Sequence, residues 1–296
     1  MIYTLTINPS LDYYINLTSD IVYGGKNRSS IETYEAGGKG VNVSIFLDEL
    51  GMGSTALGFL GGFTKPIYLD FMNRYKNIEP SFTSIQENTR INITNLSDNT
   101  SFNAKGPNIS DEEFNKLTVR LNRLYKGDYL VISGNIQDDK QDNIAKVIDE
   151  LDLNEIKLFI DVDDDFNNSI KLDGCTLVKI SGENDFDTIK DKANKLLNKN
   201  VKYVLYEDRL SDVIYLFSSE FIYKFSEKEK TNNVHYSDAF IACLVYSFQR
   251  GASALEAFTY ACAGCKVLSF SSYNENTTKM IIEKQKEITN EIENVK

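Results

Sequence analysis

Three glycines and a lysine stand together in Glu35-Ala36-Gly37-Gly38-Lys39-Gly40-Val41-Asn42-Val43, where a strand-like run gives way to a helical one. Glycine lets a backbone approach a ligand closely, and a helix start offers unpaired N–H groups and the positive end of a dipole, so an anion is the natural guest. The run is neither the P-loop pattern G-x-x-x-x-G-K-[ST] nor the dinucleotide pattern G-x-G-x-x-G, so spacing alone does not assign Lys39 to a nucleotide. A plain tight turn is the bland reading; Lys39 between glycines at the start of an amphipathic helix favours ligand contact. His235 is the single histidine, and its place just ahead of a helix reads first as a polar loop residue, with donation to a phosphate as the lesser alternative. Cys262 and Cys265 form a C-x-x-C within a helical pattern, but no second pair accompanies them, so helix packing is expected rather than a metal or redox site.

A frame must hold these residues. Strand-like and helical runs alternate through most of the chain, the pattern of a parallel sheet with crossover helices. Tyr3 to Ile7, Ser54 to Leu60, Tyr129 to Ser133, Lys157 to Val162, Thr176 to Ile180 and Lys202 to Tyr206 are short and apolar and predict central strands. Helices are predicted over Val41 to Leu50, Ser110 to Tyr125 with a Ser cap and Glu113 three residues later, Asp185 to Asn200, and Asp238 to Arg250. Two segments break the rhythm: Asp12 to Leu17 with Ser29 to Glu35, and Arg90 to Leu96 with Thr100 to Asn103, alternate without an intervening helix. They predict a small four-stranded antiparallel β-lid, within 12–35 and 88–105, over the crevice where open α/β sheets bind ligands. The expected fold class is therefore a doubly wound, mostly parallel α/β sheet flanked by helices, one domain over 1–296 without a Pro/Gly/Ser-rich linker. The charged tail from Asn274 carries Ile281, Ile288, Ile292 and Val295 at near-helical spacing and predicts a surface helix.

The 296 residues are 42% hydrophobic and 25% charged with a net charge of −11, enough for a sizeable core and unlike a disordered chain. That acidity, with no Lys/Arg-rich block, argues against nucleic-acid and anionic-membrane partners, while a few local cations can still hold an anionic small molecule. The first residues lack the pattern of a signal peptide, no apolar run approaches the roughly 20 residues that span a bilayer, and four cysteines are too sparse for a disulfide framework. A cytoplasmic location is expected.

Asn8-Pro9-Ser10-Leu11-Asp12, the Ala36 to Asn42 motif, Gly58-Phe59-Leu60-Gly61-Gly62-Phe63-Thr64, Thr89-Arg90-Ile91-Asn92, Gly106-Pro107 and Ser133-Gly134 occur in this order over nearly the whole chain. As a set they resemble the ribokinase-like (PfkB) carbohydrate kinases, most of all the branch containing 1-phosphofructokinase and tagatose-6-phosphate kinase. The resemblance implies a ribokinase-like domain that binds a phosphorylated ketose under the lid, with ATP and magnesium on the other side. It implies that Asp12 holds sugar hydroxyls, that Gly37, Gly38 and Asn42 line the sugar, and that Lys39 and Arg90 face the substrate's phosphate with Asn103 nearby. An Arg fork and a Lys point charge suit a phosphate monoester, and a carboxylate can accept from two hydroxyls.

The family's catalytic element is a Gly-Ala-Gly-Asp at a helix start, and the matching stretch here is Asn233-Val234-His235-Tyr236-Ser237-Asp238-Ala239-Phe240. The resemblance makes Asp238 the base for the attacking hydroxyl; taken alone, an Asp at a helix start reads as a cap. Both glycines are replaced. On the nucleotide side the resemblance places Lys179, Ser181, Glu183, Ser237 and Gly264. The family's Lys-Pro-Asn-x-x-Glu reads Lys179-Ile180-Ser181-Gly182-Glu183-Asn184, with Glu183 one place early, and its Gly-rich turn reads Tyr206 to Asp212 with three acidic residues and no glycine. The activity implied is ATP- and magnesium-dependent phosphorylation of a ketohexose monophosphate, first fructose 1-phosphate to the 1,6-bisphosphate, with tagatose 6-phosphate as an alternative. A sugar-phosphate-binding sensor or regulator with impaired transfer is the rival. Exposed lid strands also predict a homodimer paired through the lid.

Overall fold

The computed structural model describes residues 1–136, 138–153, 155–162, 170–182, 185–208, 212–226, 235–268 and 276–296, with the backbone alone at 138 and 139. Its main sheet sets β1 (Ile2–Thr6), β4 (Ser54–Gly61), β5 (Ile78–Pro80), β9 (Tyr129–Ser133), β10 (Lys157–Asp161), β11 (Leu177–Gly182) and β12 (Tyr203–Asp208) in parallel in the order β12-β11-β10-β9-β1-β4-β5. β6 (Thr83–Ile85) also pairs with β4. An antiparallel edge, β13 (Val213–Phe217), β14 (Ile222–Ser226) and β15 (Glu293–Asn294), extends the sheet beyond β12.

Parallel neighbours need crossovers, and helices supply most of them. On one face lie α3 (Asp111–Leu121), α4 (Asp138–Glu150) and α5 (Phe186–Leu197), packing Phe114, Leu117, Ile144 and Ile189 against Leu5 and Ile160. On the other lie α1 (Lys39–Glu49), α6 (Tyr236–Gln249), α7 (Ala254–Val267) and α8 (Thr277–Ile288), packing Phe46, Phe240 and Phe258 against Ile2 and Phe159. α2 (Thr64–Met72) closes a smaller cluster around Tyr68 and Met72. The capping box predicted at Ser110 and Glu113 is formed, and Asp185 caps α5 by accepting from Thr188 N.

Three features of the sheet and its helices depart from the sequence pattern. α1 is not amphipathic: Gly40 through Glu49 are all buried, because the helix is wedged between the sheet and α6. Its polar residues find partners inside, Ser44 Oγ with Thr4 Oγ1 at 2.8 Å and Asp48 Oδ1 with Asn77 N at 2.7 Å. Glu207 and Asp208 belong to strand β12 rather than to a turn. The α-helix of the tail ends at Ile288 and runs into a 3₁₀ turn over Thr289–Glu291; Ile281 and Ile288 dock inward, and Glu293–Asn294 instead pairs with β14, covering part of an exposed edge.

Glu49 gives a test of this buried helix. Burial, reinforced by the neighbouring Asp48, pushes its carboxyl up to about 8 from 4.5. Between those values the folded chain holds a proton that the unfolded chain has released, so Glu49 costs stability as pH rises through that window. Glu49→Gln is expected to raise the unfolding free energy by about 2 kcal/mol at pH 9 and by little at pH 5. Urea unfolding at the two pH values measures the difference, and equal effects at both would contradict the assignment.

The lid comprises β2 (Ser10–Leu17), β3 (Ser29–Gly37), β7 (Arg90–Asn95) and β8 (Thr100–Phe102), in the order β3-β2-β7-β8. Its two outer pairs are antiparallel, but β2 and β7 run parallel, which corrects the all-antiparallel expectation. Parallel pairing is possible because a full excursion through α1, β4 and α2 separates the two hairpins. Ser10 pairs with Arg90 and Asp12 with Asn92, while Tyr13 and Ile93 pair on the opposite face in one row with Tyr34 and Phe102. Strand alternation thus divides the lid into a polar inner face and an apolar outer one.

Candidate active site

The lid overhangs a cavity of about 950 Å³ at the carboxyl end of β1 and the first turns of α1 and α6. Thr6, the last residue of β1, accepts through Oγ1 from Val41 N at 3.0 Å and pins the start of α1 to the sheet. Gly38 precedes that helix with φ 129°, where a side chain would be strained, and a Cβ there would lie 2.6 Å from Thr6 Cγ2. At Gly37, the last residue of β3, an added Cβ would lie 1.9 Å from Asp12 Oδ2. The paired glycines therefore let Asp12 sit directly against the start of α1.

Asp12 Oδ1 accepts from Asn92 Nδ2 at 3.0 Å. Burial pushes its carboxyl up, against the opposing pull of hydrogen bonds from Ser10 and Asn92 and the charge of Arg90. Arg90 is held by two backbone carbonyls, Nη1 donating to Ala104 O at 3.1 Å and Nη2 to Asn8 O at 3.0 Å, and its Nε is buried with no partner. Lys39 reaches to 3.9 Å from Asp161 Oδ1 and keeps nearly half its side chain exposed. Asn103 lines the cavity beside Ala104 and Lys105.

Asp238 comes in the first turn of α6, which begins at Tyr236 with His235 at the N-cap. The cap position thus belongs to another residue, and Asp238 points inward. Its Oδ2 accepts from Asn42 Nδ2 at 2.8 Å, and its Oδ1 is buried with no hydrogen-bond partner. A buried carboxylate oxygen left bare is costly and chemically ready to take a proton. His235, expected as a polar loop residue, lines the same cavity.

The nucleotide-side positions are arranged differently. Lys179 is buried with its Nζ 3.3 Å from Asp161 Oδ1 and 3.0 Å from Glu207 Oε2. Burial pulls the ammonium down, but the two carboxylates outweigh it and hold Lys179 above its ordinary range. Burial likewise pushes Asp161 up, and Lys179 and Lys39 together hold it below the usual carboxylate value. Lys39, Asp161, Lys179 and Glu207 thus form a chain of alternating charge. Ser181 follows in β11, and Ser237 Oγ in the first turn of α6 is buried without a partner. Gly264 sits within α7, where a Cβ would lie 2.2 Å from Cys243 Sγ, so close packing against α6 accounts for it. Glu183 and Asn184, like Asn233 and Val234, lie outside the described residues.

The structure therefore gathers Asp12, Gly38, Lys39, Asn42, Arg90, Asn103 and Asp238 around one cavity, with Gly37 directly behind Asp12. It does not bring Lys179, Ser181, Ser237 or Gly264 to the lining of that cavity. Sequence reasoning missed Asn8, Asn92, Lys105 and Asn135 as lining residues and held a site role for His235 only as the lesser alternative. Asn92 carried a signal, since it lies two positions beyond Arg90 and shares its face of the strand. Among the described residues, no group of three or more His, Cys, Asp and Glu could hold a metal ion, and no helix is long and apolar enough to cross a membrane.

A family model described as pfkB family carbohydrate kinase matches residues 6–210. The chain is 44% identical over 137 residues to 1-phosphofructokinase of Bacillus subtilis, covering 46% of this chain and 45% of that protein, so this match spans about half the relative's length. It is 28% identical over 299 residues to D-tagatose-1-phosphate kinase of Bacillus licheniformis, covering 95% of this chain and 96% of that one. The crystal structure of Escherichia coli phosphofructokinase-2 in complex with fructose-6-phosphate superposes with a TM-score of 0.85 at 20% identity, covering 96% of this chain and 99% of the other, a likeness of fold.

Proposed function

The chain belongs to the pfkB family of carbohydrate kinases, and from that premise we propose that it transfers a phosphoryl group from ATP to a hydroxyl of a ketohexose monophosphate. Fructose 1-phosphate, phosphorylated at its 6-hydroxyl, is the first candidate and a tagatose phosphate the next. The observation that carries this reading is the bare, buried Oδ1 of Asp238 in the cavity that also holds Lys39 and Arg90. In this reading Lys39, Arg90 and Asn103 hold the substrate's phosphate, Asp12 and Asn42 orient the sugar, and Asp238 takes the proton of the attacking hydroxyl. The lid excludes water, so that transfer to the sugar outcompetes hydrolysis.

The donor side fits a nucleotide only in part. The first turn of α6, with Ser237 Oγ unpartnered, suits phosphate oxygens, whereas Lys179 is already committed to Asp161 and Glu207. Magnesium, when bound, offsets the charge of the polyphosphate; the described residues offer it no cage. An ADP-release assay with fructose 1-phosphate, fructose 6-phosphate and the tagatose phosphates tests the reading, and turnover with none of them would end it. The committed Lys179 and the replaced glycines favour one second reading, a sugar-phosphate-binding regulator. Thermal shifts separate the two, because the regulator is stabilised by the sugar phosphate and not by Mg-ATP.

Arg90→Ala is expected to raise KM for the sugar phosphate by about 10- to 100-fold, the worth of a charge-assisted hydrogen bond, with a small change in kcat. Arg90→Lys should rescue little, since an ammonium cannot span the Asn8 and Ala104 carbonyls as the fork does. Steady-state kinetics on both variants checks this. We also propose that two copies pair through the outer lid face, where Tyr34, Ile93 and Phe102 are exposed. Light scattering should give twice the chain mass for the parent and a monomer for Phe102→Glu.

A further inference from the structure

His235 stands where the resembling family has glycine, and it faces the pair proposed to handle the sugar and its proton. Its Nδ1 lies 3.1 Å from Asn42 Nδ2 and 3.6 Å from Asp238 Oδ2. Asn42 Nδ2 also donates to Asp238 Oδ2 at 2.8 Å. A carboxylate can only accept, so the Asn42 atom meeting it must be the nitrogen, which fixes the orientation of the amide. That NH₂ group carries a second hydrogen, and His235 Nδ1 is placed to receive it. To do so Nδ1 must be the bare nitrogen of a neutral ring whose proton sits on Nε2. A doubly protonated ring has no lone pair to offer.

We propose that His235 is a positioning residue: neutral, it accepts the second amide hydrogen of Asn42 and holds Asn42 across Asp238; protonated at Nδ1, it releases Asn42 and pairs with Asp238 Oδ2. The exchange alters the proposed base in two ways at once. The imidazolium withdraws charge from the Asp238 carboxylate, and the Asn42 amide loses the contact that fixed it. Asp12 on β2, Glu35 on β3 and Asp238 on α6 present negative charge to the ring, and Lys39 on α1 and Arg90 on β7 bring positive charge to the same cavity. The consequence for rate rests on the kinase reading: kcat falls on the acid side when protonation of the His235 ring breaks its contact with Asn42.

The chain has a single histidine, so ¹⁵N labelling of imidazole in the full-length protein gives one ring to follow. The expected neutral form near pH 8.5 is the Nε2–H tautomer, and acidification should move the Asn42 side-chain amide signal, assigned by its loss in Asn42→Ala, in step with the ring. A neutral Nδ1–H ring, or an Asn42 amide that ignores the titration, overturns the proposal. This arm needs no turnover. In the second arm, kcat with fructose 1-phosphate and Mg-ATP is measured from about pH 5.5 to 8.5, the window in which imidazoles change charge. His235→Ala should lower alkaline kcat on the order of tenfold with KM within about twofold, and His235→Gln, whose Oε1 can accept from Asn42, should recover much of that loss without the acid limb. An acid limb unchanged in His235→Gln belongs to Asp238 and overturns the proposal. Absence of turnover in the parent chain overturns the kinase reading instead, and the ring signals then decide the hydrogen bond by themselves.

Discussion

Asp238→Asn is expected to lower kcat by about 10²- to 10⁴-fold, the usual worth of a general base, while KM for the sugar phosphate stays within about threefold. The substitution keeps the shape of the side chain, and its carbonyl oxygen can still accept from Asn42 Nδ2, the bond that Asp238 Oδ2 now receives. What disappears is the capacity of the buried, bare Oδ1 to take a proton. The helix should tolerate the change, because its N-cap is His235. Kinetics with fructose 1-phosphate, paired with a thermal shift by the same ligand, separates lost chemistry from lost binding. Undiminished turnover in a folded variant would remove Asp238 from the proposed mechanism.

Lys179→Met should lower the unfolding free energy by about 3–5 kcal/mol, because it strips the main counter-charge from a buried carboxylate. Asp161 is 4% exposed, and among the described residues its carboxylate would keep Ser133 Oγ, at 3.2 Å, and the more distant Lys39. Glu207, partly exposed, can turn to water; Asp161 cannot. The pH dependence has a definite sign. Asp161 lies below its ordinary value of 3.8, so its contribution is complete above about pH 4 and is lost as pH falls through the lower folded value. Lys179 lies above its ordinary 10.5, so its contribution is complete below that pH and fades as pH rises past it. The gap between parent and variant should therefore be widest between about pH 5 and 9 and close at both ends. Urea unfolding across that range measures it; a flat difference would mean that the charges are not coupled. Loss of activity in a Lys179 variant is thus evidence about the fold before it is evidence about a nucleotide.

The sheet was legible because strands such as β9 and β10 bury apolar residues on both faces, Leu130 with Val131 and Leu158 with Phe159, as strands between two helical layers must. The lid was legible from its period-two alternation, whereas the inward place of Asp12 and Arg90 came from the family resemblance alone. What escaped was set by partners distant in sequence. Nothing local says that β2 and β7 lie side by side and parallel, since 72 residues separate the end of β2 at Leu17 from the start of β7 at Arg90. Asn42, Ser44, Asp48 and Glu49 gave α1 the look of a helix with a wet face, when those groups are buried. Glu207 read as part of a turn because a carboxylate is unusual in an inner strand; the counter-charge that permits it arrives from β11. His235 looked incidental because its neighbours come from α1 and α6, and only the fold brings Asn42 to it.

The parallel ladder of β2 and β7 has a consequence for which isomers the cavity accepts. Arg90 is level with Ser10, and Asp12 lies two residues further along the same ladder, an advance of roughly 6.6 Å along the strand direction. Guanidinium and carboxylate are mounted on one ladder, so any movement of the lid as a body would carry both together and leave their separation unchanged. On the proposed function the pair would work as a caliper with its screw locked: ketose phosphates bearing the same groups at other intervals would be sorted by length, whatever their charge.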